Sequence, residues 1–167
     1  MPISKAGARS NRAGVTLMEM MIVVTIIVLL SGIAYPSVAS GIRSLQLDSA
    51  ARDIAALENI SVSRAARLQD AVELTISRKD NALEARSIAG DFHQSLDLGK
   101  DVRIARITPE NPDGQPESRS FFIYPGGAPP AIGIAIENRD LNERVITLDP
   151  ITGVPRVVKA HAQESGS

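Results

Sequence analysis

Between Val15 and Tyr35 the chain reads VTLMEMMIVVTIIVLLSGIAY, and its one charged residue is Glu19. A helix of that length spans about 31 Å at about 1.5 Å per residue, which matches a hydrocarbon core of about 30 Å. Lipid offers no partner to a backbone amide, so the segment has to be helical in spite of its valines and isoleucines. Lys5, Arg9 and Arg12 precede it, residues 1–14 hold no acid, and no basic residue follows it at once. That asymmetry predicts a single-pass protein with its start in the cytoplasm and its bulk outside the inner membrane. Two simple readings fit the run: a signal peptide cut at the small-x-small site Gly32-Ile33-Ala34, or a plain anchor. Neither accounts for Glu19. A carboxylate within the hydrocarbon costs about 2.5–3.5 kcal/mol at a helix centre and marks a site whose partner has to be found.

The amphipathic signal continues past Tyr35. Apolar residues recur at Ile42, Leu45, Ala50, Ile54, Leu57, Ala65 and Leu68, with Arg43, Asp48, Arg52, Asp53 and Glu58 between them. The spacing predicts one helix from about Thr16 to Gln69, roughly 80 Å long, kinked at Pro36 and presenting one core-facing stripe in its second half. Two helices broken between Pro36 and Gly41 are the alternative. From Ala71 the period changes to two. Residues 71–77, 83–88, 102–107, 120–124, 131–137, 144–149 and 155–159 read as short strands separated by turn residues, and Gly90 to Lys100 reads as a loop or short helix. In residues 102–107 the alternation sets Val102, Ile104 and Arg106 against Arg103, Ala105 and Ile107. Residues 108–118, TPENPDGQPES, form a surface loop. A helix stripe and an antiparallel sheet make two layers, enough for a modest core. The fold class is α+β.

Composition removes several chemistries. There are no cysteines and no Trp, and the aromatics are Tyr35, Phe92, Phe121, Phe122 and Tyr124. Disulfides and thiolate metal sites are therefore excluded, and so few aromatics argue against base-stacking platforms. Only His93 and His161 offer an imidazole. Asp91 and His93 lie close in sequence among many serines, yet no nucleophile-elbow pattern accompanies them. Asp97 and Asp101 lack the dense oxygen-ligand loop that calcium requires. No Gly-rich loop follows a strand and opens a helix, so no phosphate cradle is expected. The expectation is a non-enzyme with no cofactor, no metal and no small-molecule substrate.

Gly14-Val15-Thr16-Leu17-Met18-Glu19, followed by the apolar run, resembles the leader junction of type IV pilins and type II secretion pseudopilins, with Val15 where Phe is usual. The resemblance implies that a prepilin peptidase cuts between Gly14 and Val15 and methylates the new amine of Val15. It also implies that Glu19 is an assembly residue. Both charges then lie in the membrane, and pairing the Val15 amine of one subunit with Glu19 of a neighbour offsets part of both penalties and sets axial register. A carboxyl satisfied by its own helix start or by Thr16 is the alternative.

The second half carries a further resemblance. Phe122-x-Tyr124-Pro125-x-Gly127, Gly133-Ile134-Ala135-Ile136, and Leu148-Asp149-Pro150-x-Thr152-Gly153 with Arg156-Val157 are similar to H-type minor pseudopilins and related pilus-assembly minor pilins. Ala65-Ala66-Arg67 followed by Ala71-Val72-x-Leu74 fits the same pattern. Asp149 is suited to bond the backbone two residues on, and Gly153 to adopt positive φ. The resemblance implies a basic leader (1–14), the transmembrane half (15–35) and periplasmic amphipathic half (36–70) of one long helix, an antiparallel β-sheet domain (71–159) and a flexible tail (160–167). Its pilin-like fold would serve a minor pseudopilin near the tip of a type II secretion pseudopilus. Partners would be the prepilin peptidase, other major and minor pseudopilins and the inner membrane. A minor pilin of a type IV pilus, with assembly priming or DNA uptake, is the alternative. Of 18 basic residues, loss of Lys5, Arg9 and Arg12 leaves 15 against 19 acids, a net charge of −4. Arg156, Lys159 and His161 form no basic cluster beside Glu164, so nucleic acid is disfavoured as a partner.

Overall fold

The computed structural model describes residues 15–110 and 117–159. The leader with Gly14, the middle of the proline-rich loop, and the tail with His161 and Glu164 lie outside the described residues. The chain divides into two compact units between Ala39 and Ser40. Helix α1 (Leu17–Leu68) is continuous through Pro36 and Gly41, so the two-helix alternative is not what forms. In the first unit every residue from Val15 to Gly32 is exposed, on all sides of the helix.

In the second unit, the last turns of α1 pack on eight strands: β1 (Val72–Ser77), β2 (Ala82–Ser87), β3 (His93–Asp97), β4 (Val102–Thr108), β5 (Ser118–Ile123), β6 (Gly133–Asn138), β7 (Glu143–Leu148) and β8 (Pro155–Lys159). The expected α+β class with an antiparallel sheet layer is present, but the strands form two sheets rather than one. Their orders are β3-β2-β1-β5 and β4-β6-β7-β8, with every pair antiparallel. The division arises because β5 pairs with β1, far back in the chain, and not with β4. Segment 90–100, expected as a loop or short helix, contains β3. It is an edge strand with only Leu96 half-buried, so it lacks the alternation by which a half-buried strand is recognised.

Two further expectations are corrected by the packing. The buried stripe of α1 comprises Leu47, Ala50, Ala51, Ile54, Leu57, Glu58, Ser61 and Ala65, whereas Ile42, Leu45 and Leu68 are exposed. Positions 47, 54, 58, 61 and 65 are three, four or seven residues apart and share one face, so angle around the helix outranks side-chain polarity at Glu58 and Ser61. In β4, pairing with β6 shifts register between Ile104 and Arg106. The extra residue turns Arg106 outward to Glu143, 3.3 Å away, and buries Ile107 beside Val102 and Ile104.

Directional bonds lock the layers. Asn81, in the β1–β2 turn at φ 53, donates through Nδ2 to the carbonyls of Gly99 (2.8 Å) and Val102 (2.6 Å) and accepts from Ile104 N–H at Oδ1 (3.0 Å). Arg144 of β7 donates from Nε to Asp48 Oδ1 of α1 at 2.7 Å, and its side chain is only 9% exposed. That bond, reinforced by the positive charges of Arg144, Lys159 and Arg52, holds the Asp48 carboxyl below its ordinary pKa. The β7–β8 turn behaves as its residues suggest. Asp149 Oδ1 accepts from Ile151 N–H (2.9 Å) and Thr152 N–H (3.2 Å), and Gly153 sits at φ 68. A Cβ at Gly153 would stand 3.0 Å from Val62 Cγ1 of α1 and 3.2 Å from Pro129 Cγ.

Two outcomes are expected in urea unfolding of the second unit. Gly153→Ala destabilises by about 1–2 kcal/mol from the left-handed backbone, with crowding against Val62 adding to that cost. Asp48→Asn costs about 1–3 kcal/mol at pH 7, between the limits for exposed and buried ion pairs. Because the folded pKa of Asp48 is lowered from 3.8, the gap between wild type and Asp48→Asn persists above that value and closes as pH falls through the folded pKa.

Candidate functional site

The candidate site lies where the chain enters α1. Val15 and Thr16 are non-helical, and the helix begins at Leu17. Thr16 caps it: its Oγ1 accepts from Glu19 N–H at 3.2 Å, and its carbonyl accepts from Met20 N–H at 3.2 Å. A threonine at this position satisfies one of the amides that a helix start leaves unpaired. Thr16-x-x-Glu19 has the spacing of a capping box, in which the acid reaches back to the cap's own N–H. Only the hydroxyl half forms here. Among the described residues the Glu19 carboxylate accepts no hydrogen bond and makes no ion pair, so the self-satisfied alternative is not observed.

The surroundings sharpen the meaning of that unengaged carboxylate. From Val15 to Ile42 Glu19 is the sole Asp, Glu, Lys or Arg. Leu17, Met18, Met21, Val28 and Leu29 are more than 60% exposed, on different sides of the helix. The other hydroxyl near the start, Thr25, donates to the Met21 carbonyl at 2.7 Å and so leaves no unpaired polar hydrogen. The helix is long and apolar enough to cross a membrane. A helix apolar on every side and covered on none is suited to lipid or to neighbouring helices.

The remaining residues singled out by sequence occupy structural bonds. Asp91 accepts from Ser87 Oγ (2.7 Å) and Arg64 (2.9 Å), which hold its carboxyl below the ordinary range. His93 Nε2 lies instead 2.8 Å from Glu84 Oε1, so Asp91 and His93 do not form a pair. Asp97 Oδ1 accepts from Gly99 N–H (2.7 Å), and Asp101 faces Arg139 at 3.4 Å. Among the described residues no cluster of His, Asp and Glu is placed to hold a metal ion. Of the basic residues near the tail, Arg156 is 3.6 Å from Asp149. The sequence reading missed Glu58, which it set on the polar side of α1. Its offset of four from Ile54 and three from Ser61 is the signal that would have found it.

Residues 9–35 match a family described as the prokaryotic N-terminal methylation motif. The match spans the basic residues Arg9 and Arg12, the Gly14–Val15 junction, Glu19 and the apolar run. No curated protein and no solved structure matches the chain. The motif supports a pilin-like role, implying processing by a prepilin peptidase and assembly with other pilin-like subunits. With the apolar helix it fits a membrane-anchored protein, and the α+β architecture is consistent with a pilin-like fold.

Proposed function

We propose that the chain is a minor pseudopilin, a structural subunit of a type II secretion pseudopilus near its tip, where it supports protein export across the outer membrane. The observation that carries this reading is Glu19: a carboxylate with no partner among the described residues, on a helix stretch exposed from Val15 to Gly32, five residues after Gly14. The methylation motif over residues 9–35 supports the processing step. A prepilin peptidase cuts the Gly14–Val15 bond and methylates the Val15 amine, which stays cationic. Chains then wait in the inner membrane with the N-terminus cytoplasmic and the second unit periplasmic.

Assembly follows from the cost of isolated charge in lipid. Lipid tails are as apolar as leucine, so helices gain nothing hydrophobic by meeting there, and packing and polar pairs decide their association. The Val15 amine of one subunit and Glu19 of the next neutralise each other and fix axial register. Removing one partner leaves the other charge uncompensated, which costs several kcal/mol in a low dielectric, on the order of 3–5 for a fully buried pair. The role is structural, with no catalytic residue and no cofactor. The segments Phe122–Gly127 and Leu148–Gly153 favour the H-type minor pseudopilin, and because pilus-assembly minor pilins share them, a type IV minor pilin is the second reading. Recovery of the chain with secretion pseudopili or with surface pili separates the two.

Intact mass of the membrane form tests the processing step: the expected chain starts at Val15 and carries one added methyl, whereas a start at Tyr35 overturns it. Glu19→Ala is expected to leave cleavage intact while lowering filament incorporation at least tenfold, equivalent to about 1.4 kcal/mol. Undiminished incorporation rejects the charge-pairing mechanism.

A further inference from the structure

The second unit buries one carboxyl that the assembly mechanism does not use. Glu58 is 0% exposed, and neither of its carboxyl oxygens meets a hydrogen-bond donor. It lies on the core-facing stripe of α1 beside Leu57, one turn after Ile54 and one turn before Ser61. The Ser61 hydroxyl cannot help, because it already donates to the Leu57 carbonyl at 2.8 Å. A carboxylate so enclosed has lost water and gained nothing in exchange.

Among the described residues no charge on the packed elements compensates it. On the core side of the sheets the ionisable groups are Arg78 after β1, Arg119 of β5, Arg144 of β7 and Lys159 of β8. Arg144 is taken by Asp48, toward which Lys159 also acts, and Arg119 donates to the Pro109 carbonyl and lies over the Phe121 ring. Arg78 has its own Nε buried without a partner. On α1, Asp48 is held by Arg144, Arg64 is held by Asp91, and Arg52 and Asp53 are exposed. None of these groups acts on Glu58: burial is the cause that raises its pKa from 4.5 to about 8.

We propose that Glu58 is a proton-gated latch between α1 and the two sheets: neutral, its carboxyl lies within the core, and once ionised it drives this stretch of helix off the strands. This does not rest on the pseudopilin reading. The sign is fixed by linkage. The folded state keeps a proton that the unfolded chain releases above 4.5, so the stability tied to Glu58 is complete below 4.5. It declines as pH rises through the window from 4.5 to about 8 and is level above it. The carboxylates with lowered pKa values, Asp48, Glu73, Asp91 and Asp149, act in the opposite sense and at more acid pH.

The test uses the full chain in detergent micelles. Urea unfolding is followed by hydrogen exchange in peptides from β1 and β2, comparing wild type with Glu58→Met and Glu58→Gln, so that groups common to all three cancel. Between pH 5 and pH 8 the unfolding constant of wild type should rise about tenfold per pH unit relative to Glu58→Met, then run parallel, while Glu58→Gln stays parallel throughout. Wild-type and Glu58→Met curves that remain parallel across the window overturn the latch. Should both variants fail to fold, the carbon-13 shift of the Glu58 carboxyl in wild type decides. A midpoint near pH 8 supports the proposal, and one below pH 6 overturns it.

Discussion

A helix with no polar side has no stable place in water, and the proposed role of this chain follows from where that helix can go. From Val15 to Gly32 every residue of the chain is exposed. In the proposed function, lipid covers this stretch while the subunit waits, and helices of neighbouring subunits cover it after assembly. The two environments are nearly equal in apolarity, so transfer between them is close to balanced, and a single ionisable side chain can tip it. Thr16 caps the helix start through its hydroxyl, and among the described residues the Glu19 carboxylate stays unengaged.

The second unit solves a different problem. Its helix stripe must fill the space before two sheets whose strands come from distant parts of the chain, and it does so with mostly small and aliphatic side chains. Polar groups on the same side are each matched, as Asp48 is by Arg144 and Ser61 by a carbonyl of its own helix, with Glu58 the unmatched member. The ion pair and the lone carboxyl answer acid in opposite directions. Protonation weakens the hold of Asp48 on Arg144 and favours the burial of Glu58, so the two titrations act with opposite sign and in separate ranges of pH.

Much of this was legible in residue order. The apolar run, the odd acid within it and the basic approach follow from local covalent sequence, which is why the helix and the candidate site could be placed in advance. Strand positions were readable wherever one face is buried, as in Val72-x-Leu74-x-Ile76. What escaped was set by partners rather than by local pattern. The pairing of β5 with β1 is non-local, β3 is held by its backbone with little burial of side chains, and one bulged residue in β4 reverses the facing of Arg106 and Ile107. Glu58 is buried by its angle on the helix in spite of its polarity, and Ile42, Leu45 and Leu68 are exposed for the mirror-image reason.

Asn81 bears on the mechanics of the unit. Apolar layers glide, since the dispersion attraction given up on one side is regained on the next, but hydrogen bonds have direction and fail when their ends are displaced by a fraction of an ångström. Three such bonds leave one side chain in the first sheet for the backbone at and before β4 in the second. A shearing force across the seam therefore loads all three together, and the two sheets travel as one body where grease alone would let them creep.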